Sequence, residues 1–179
     1  MKLPLYQVDA FTSRLFGGNP AAVVPLDDWL PDGVLAGIAA ENNLAETAFV
    51  ISRPDVVPLR WFTPTVEVDL CGHATLAAAH VLFRYYFPRT TRLTFSTRSG
   101  NLIVTREGEL LSMDFPARPG QPVAVTDSLV AALGIRPREA LLARDLMAIV
   151  DSEADVRDFR PDFQRIAALD AFAIIVTAP

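Results

Sequence analysis

Apolar and polar positions alternate in short runs over the first two-thirds of the chain. Leu3–Ala10, Ala21–Leu26, Thr47–Ser52, Leu59–Phe62, Leu93–Ser96, Leu102–Thr105 and Leu110–Phe115 are rich in β-branched, aromatic and aliphatic residues. Gly, Pro, Asn or Asp bounds each run, and the pattern predicts strands. Arg106-Glu107-Gly108-Glu109 supplies a polar hairpin connection between two of them. Two segments have helical spacing instead. Pro31–Glu41 places Val34, Leu35, Ile38 and Ala39 on one face, with Pro31 suited to a first turn and Asn42-Asn43 to a stop. The second helix is expected from His73 to about Tyr86. Its residues Ala74, Leu76–Ala79 and Val81–Phe83 leave almost no polar face. A helix that is apolar all round is buried on most sides. Short strands around such a helix predict a curled sheet wrapped about it.

Ala117-Arg118-Pro119-Gly120-Gln121-Pro122 breaks the pattern and reads as a boundary, giving a first unit 1–117 and a second 118–179. In the second, Asp127–Leu133 is expected as a helix capped by Thr126 and stopped at Gly134. Leu141–Val150 is expected as a strand, Pro161–Leu169 as a helix and Phe172–Thr177 as a final apolar strand. That last strand needs a neighbour from an earlier strand or another chain.

Composition narrows the function. Of 179 residues, 51% are hydrophobic, enough for a core, and the net charge is −5 with no basic run. Phosphate binding needs clustered Lys and Arg, so nucleic acid is not an expected partner. The apolar stretch Ala74–Phe83 is too short to span a membrane and is interrupted by His80. Cys71 is the only cysteine, which excludes an internal disulfide and fits a reducing, cytoplasmic compartment.

Few residues offer chemistry. Glu46 stands where a helix exit meets an apolar strand. Desolvation there would raise its pKa and make it an acid or base near neutral pH, although a solvated turn glutamate is the commoner case. Cys71-Gly72-His73-Ala74 combines a tight turn with a helix start, whose free N–H groups and dipole suit a carboxylate or a developing enolate. Equally, Cys71 reads as a small buried hydrophobe and His73 as a capping side chain. His80, seven residues on, reads as a packed core histidine. The spacing of His73 and His80 does not match the close ligand pairs of zinc sites, so no metal is expected. Asp9 and Gly18-Asn19-Pro20 form a third element, a turn by composition.

In order, Val8–Thr12, Gly18–Val23, Asn43–Phe49, Arg60–Pro64, Glu67–Ala77 and Met113–Pro116 resemble the PhzF-like phenazine-biosynthesis family of isomerases and epimerases, whose fold is similar to that of diaminopimelate epimerase. The resemblance covers nearly the whole chain. It implies an α+β architecture: a curved, mostly antiparallel sheet wrapped around a central helix, followed by part of a second similar lobe. It also implies cofactor-free and metal-free proton transfer at a carbon of a small carboxylated metabolite. Glu46 matches the family's acid–base glutamate, His73 a substrate-binding histidine, and Gly72 supplies backbone N–H. Asn19 is counted with them as substrate-binding. Cys71 stands where related epimerases keep a thiol, a possible second acid–base. Two features expected of the second lobe, an acidic site residue and a glycine-rich turn, have no match after Arg118. The chain therefore reads as incomplete in that lobe, with homodimerisation the expected way to cover it. The alternative is an inactive homologue that binds a small molecule or dimerises. A thiol-based epimerase using Cys71 is a further rival.

Overall fold

Eight strands form in the first two-thirds: β1 (Tyr6–Ala10), β2 (Asn19–Leu26), β3 (Glu46–Ile51), β4 (Val57–Phe62), β5 (Glu67–Val68), β6 (Arg92–Thr97), β7 (Gly100–Glu107) and β8 (Leu110–Asp114). The computed structural model describes all residues, Met1–Pro179. The chain divides into two compact units, Met1–Phe115 and Pro116–Pro179.

In the first unit all eight strands share one sheet, in the order β1-β2-β3-β4-β6-β7-β8 with β5 paired to β4. Neighbours are antiparallel except β2–β3 and β4–β6. Parallel neighbours need a long crossover. Helix α1 (Asp32–Asn42) lies in the first crossover, and helix α2 (Gly72–Val81) in the second.

The two helices occupy opposite faces of the central strands, and the period of two along each strand sorts the side chains between them. Ala21, Val23, Ala48 and Val50 join the main core with α2, whereas Val24, Leu26, Phe49 and Ile51 pack with Leu35 and Ala39 of α1. Burial on both faces explains why β2 and β3 are apolar runs rather than alternating ones. Arg60 on β4 ties α1 to the sheet. Its guanidinium binds both carboxylate oxygens of Glu67 at 2.7 and 2.8 Å and Asp32 at 2.9 Å, and lies over Trp29.

Helix α2 is the centre of the main core. Ala74, Ala77, Ala78 and Ala79 are fully buried, and the Thr75 hydroxyl donates to the carbonyl of Cys71. The single helix expected to Tyr86 changes pitch after Val81. Leu82–Tyr86 forms a π-turn, closed by the Phe87 N–H on the Leu82 carbonyl at 2.7 Å. The wider turn keeps Val81, Leu82 and Phe83 all buried. His80 is a correction, because it is exposed rather than packed in the core. With Leu76 it forms an i, i+4 stripe. That stripe floors an open cleft of about 720 Å3 whose walls are Val8–Ser13 on the β1 side and Glu109–Leu111 on the β8 side.

The second unit contains β9 (Gln121–Val123), α3 (Asp127–Leu133), β10 (Glu139–Leu142), β11 (Leu146–Ile149), α4 (Glu153–Asp158), α5 (Phe163–Ala167) and β12 (Ile174–Thr177). Its sheet runs β12-β11-β10-β9. The expected breaker segment is in part a strand, β9, where Pro122 is tolerated at the sheet edge. The expected single strand Leu141–Val150 is a hairpin of β10 and β11, turned at Ala143–Asp145. Helix α4 was not anticipated; Ser152 caps it by accepting from the Asp155 N–H. Thr126 and Gly134 do bracket α3 as expected. β12 finds its neighbour in the earlier strand β11, with which it runs parallel.

Because α2 has no room on its sheet-facing sides, Ala78→Leu should destabilise the protein by about 1–3 kcal/mol through overpacking. Urea unfolding checks this; an unchanged midpoint would mean that the core is looser than its burial implies.

Candidate active site

Glu46, Cys71 and His73 come together from two elements. Asn43, in the left-handed conformation at φ 48°, ends α1, and after Leu44 and Ala45 the chain enters β3 at Glu46. The parallel pairing sets Glu46 opposite Ala21, near the start of β2. The Asn42 side chain donates to Thr47 Oγ1 at 3.1 Å and braces this entry. Cys71 is extended (φ −144°, ψ 114°) and immediately precedes α2, with no side chain capping the helix. The backbone N–H groups of His73 and Ala74 in the first turn face the Cys71 sulfur. Gly72 is closely covered: a Cβ there would lie 3.3 Å from the Phe115 ring.

The Glu46 Oε2 is 3.2 Å from His73 Nε2, and the Cys71 Sγ is 3.4 Å from His73 Nδ1. The His73 side chain is 9% exposed and that of Glu46 19%. Although close to the carboxylate, Nε2 is not aligned for a hydrogen bond and has no other partner. Burial lowers the His73 pKa below its ordinary value, outweighing the Glu46 charge and the Pro20 carbonyl, which both favour the protonated ring. Burial, reinforced by the Glu46 charge, pushes the Cys71 thiol up to about 12. At neutral pH the imidazole and the thiol are both uncharged, and they flank a carboxylate.

The other sequence candidates lie around this cluster or away from it. Asn19 is exposed at the start of β2, paired with Ala10 and one residue from Pro20. Gly18 makes the approach possible. Its φ is +70°, and a Cβ would fall 2.2 Å from the Ala10 carbonyl oxygen, so a side chain is excluded. Asp9 and His80 line the cleft between β1 and β8, which contains none of the three clustered residues. The carboxylate, thiol and imidazole also form a set able to hold a cation, their donor atoms lying within 4.8 Å of one another. Sequence spacing missed this set because its third donor lies on β3 rather than along α2.

A curved α+β sheet around a helix whose start faces a strand-borne acid is the architecture of epimerase-like lobes. The chain belongs to the phenazine biosynthesis-like (PhzC–PhzF) family, which it matches over residues 8–179. It is 52% identical over 178 residues to an uncharacterized isomerase of Pseudomonas aeruginosa, covering 99% of this chain and 69% of that protein. It is 42% identical over 181 residues to an uncharacterized isomerase of Halalkalibacterium halodurans, covering 99% and 68%. The crystal structure of a PhzF-family protein from Enterococcus faecalis superposes with a TM-score of 0.90 at 46% identity, over 98% of this chain and 68% of that one. A predicted epimerase from Pseudomonas aeruginosa shares the fold at 19% identity, with a TM-score of 0.73. The relatives at 42–52% identity are thus named isomerases.

Two measurements test the electrostatics. With its pKa near 12, Cys71 holds a thiolate fraction on the order of 10⁻⁴ at pH 8, so a disulfide reagent should modify it about 10³-fold more slowly in the native protein than in denaturant. Comparable rates would show an accessible, ionised thiol. For His73 the folded pKa lies below the unfolded one, so the unfolded state binds the proton more readily. This residue's contribution to stability should be complete above pH 6.5 and be lost as pH falls from there through the folded pKa. An NMR titration of the His73 ring with a midpoint at or above 6.5 would contradict it.

Proposed function

We propose that the chain carries the acid–base half of a cofactor-independent isomerase or epimerase that moves a proton at a carbon of a small carboxylated metabolite. The observation that carries this reading is the Glu46 carboxylate held 3.2 Å from His73 Nε2 at the open start of α2. Glu46 removes the proton and returns it, while the Gly72 N–H at the helix start and the His73 ring receive the negative charge that develops on the substrate. A neutral His73 can donate one hydrogen bond to that charge without presenting a competing cation. Asn19 serves as a further polar contact at the edge of the site.

The thiol rival is disfavoured by the same environment. A general base of pKa near 12 is almost wholly protonated at neutral pH, and activating Cys71 would require a second charge inside a pocket that already faces Glu46. Cys71 acts in this reading as a neutral neighbour of the imidazole.

The test is deuterium exchange from heavy water into a panel of small carboxylic acids with an acidic C–H next to the carboxylate or to a conjugated system. Glu46→Gln should lower exchange by about 10²–10⁴-fold with unchanged circular dichroism. Cys71→Ser should retain most of it. A Glu46→Gln protein that exchanges like the wild type removes Glu46 from the mechanism. A folded wild-type chain that exchanges with no member of the panel favours a binding role instead.

A further inference from the structure

We propose that Asn42 and Thr47 are a positioning pair, whose hydrogen bond sets the direction in which β3 presents Glu46 to His73. The kinetic consequence rests on the acid–base reading of Glu46; the positioning itself does not.

The period of two along β3 places the residues. Ala48 and Val50 face α2 and the main core, whereas Phe49 and Ile51 face α1. The same alternation turns Glu46 to the α2 side, where its carboxylate lies 3.2 Å from His73 Nε2. It turns Thr47 to the α1 side, where its hydroxyl meets Asn42. These two side chains are adjacent in sequence and on opposite faces, so a rotation of the strand end about its own axis moves both. Holding one holds the other.

Glu46 needs such a hold. It is the first residue of β3, and the antiparallel ladder to β4 begins only at Thr47, opposite Phe62. Ends of elements open more readily than their interiors. Only Asn43, Leu44 and Ala45 separate Glu46 from α1. The Asn43 N–H donates to the Ala39 carbonyl at 3.2 Å and ties the near side of this connection. The Asn42 side-chain amide donates to Thr47 Oγ1 at 3.1 Å and ties the far side, one residue beyond Glu46.

The residue type agrees with this role. Thr47 is the one polar side chain in the buried run Thr47–Ile51 and is 1% exposed. A buried hydroxyl is costly unless it is bonded, and valine has nearly the same shape without that cost. What threonine adds at this position is an attachment between the strand start and the helix exit.

The test uses the full chain with Thr47→Val, Thr47→Ser and Asn42→Ala, read by deuterium-exchange kinetics and by NMR titration of the His73 ring. The Glu46 charge favours the protonated ring against burial, and the Cys71 thiol and Pro20 carbonyl are the other polar groups facing it. Glu46→Gln therefore marks the midpoint with that charge removed. Thr47→Val should shift the midpoint from the wild-type value towards the Glu46→Gln value. It should also lower exchange about tenfold or more through kcat, with KM little changed. Thr47→Ser should restore both. Asn42→Ala should match Thr47→Val, and the double variant should be no worse than either single one. A folded Thr47→Val protein with the wild-type midpoint, even one less stable to urea, overturns the proposal. So does a Thr47→Ser protein that behaves like Thr47→Val, or wild-type exchange kinetics in Thr47→Val. Should the midpoint move as described in a chain that shows no proton exchange, the positioning stands and the acid–base reading of Glu46 falls.

Discussion

The first unit depends on how closely a sheet can approach a helix. Four alanines at positions 74, 77, 78 and 79 reduce α2 to little more than backbone on its packed sides. Strands from β1 to β8 can then curl around it while Trp61, Leu93, Phe95 and Leu102 supply the large side chains of the same core. The same closeness forbids a large side chain on the helix and leaves one stripe, Leu76 and His80, facing the gap between the sheet's two edges. A bulkier helix would have forced a flatter sheet, and the start of α2 would not meet the start of β3.

Topology then decides where the chemistry lies. β2 and β3 are parallel, so Asn19 and Pro20 on one and Glu46 on the other begin at the same end of the sheet. Helix α2 enters the core at that end as well, since His73 in its first turn reaches the Glu46 carboxylate. Two strand starts and one helix start converge, bringing a carboxylate against a buried ring and close to a buried thiol. Gly18 allows the β1–β2 connection to turn closely enough for the first of these to arrive. Burial then sets the charge state. It keeps the imidazole and thiol neutral, and one negative group remains among uncharged hydrogen-bonding partners.

Much of this was legible residue by residue, and the rest was not, for identifiable reasons. Asn43 at the end of α1, Thr126 and Gly134 around α3, and the all-apolar α2 are local signals, and they correspond to the observed caps and burial. His80 was misread because periodicity locates a face but not which face the sheet leaves uncovered. The turn between β10 and β11 is only a two-residue polar break, Arg144-Asp145, in a run that a single strand would also explain, and the Ser152 cap lies just beyond that run. Glu46 is the instructive case. Alone it resembles any turn glutamate, and nothing local shows that Cys71 and His73, 25 or more residues away, will reach it. Only the parallel register and the helix crossover bring them together, so the site belonged to topology and became readable through the ordered set of family motifs.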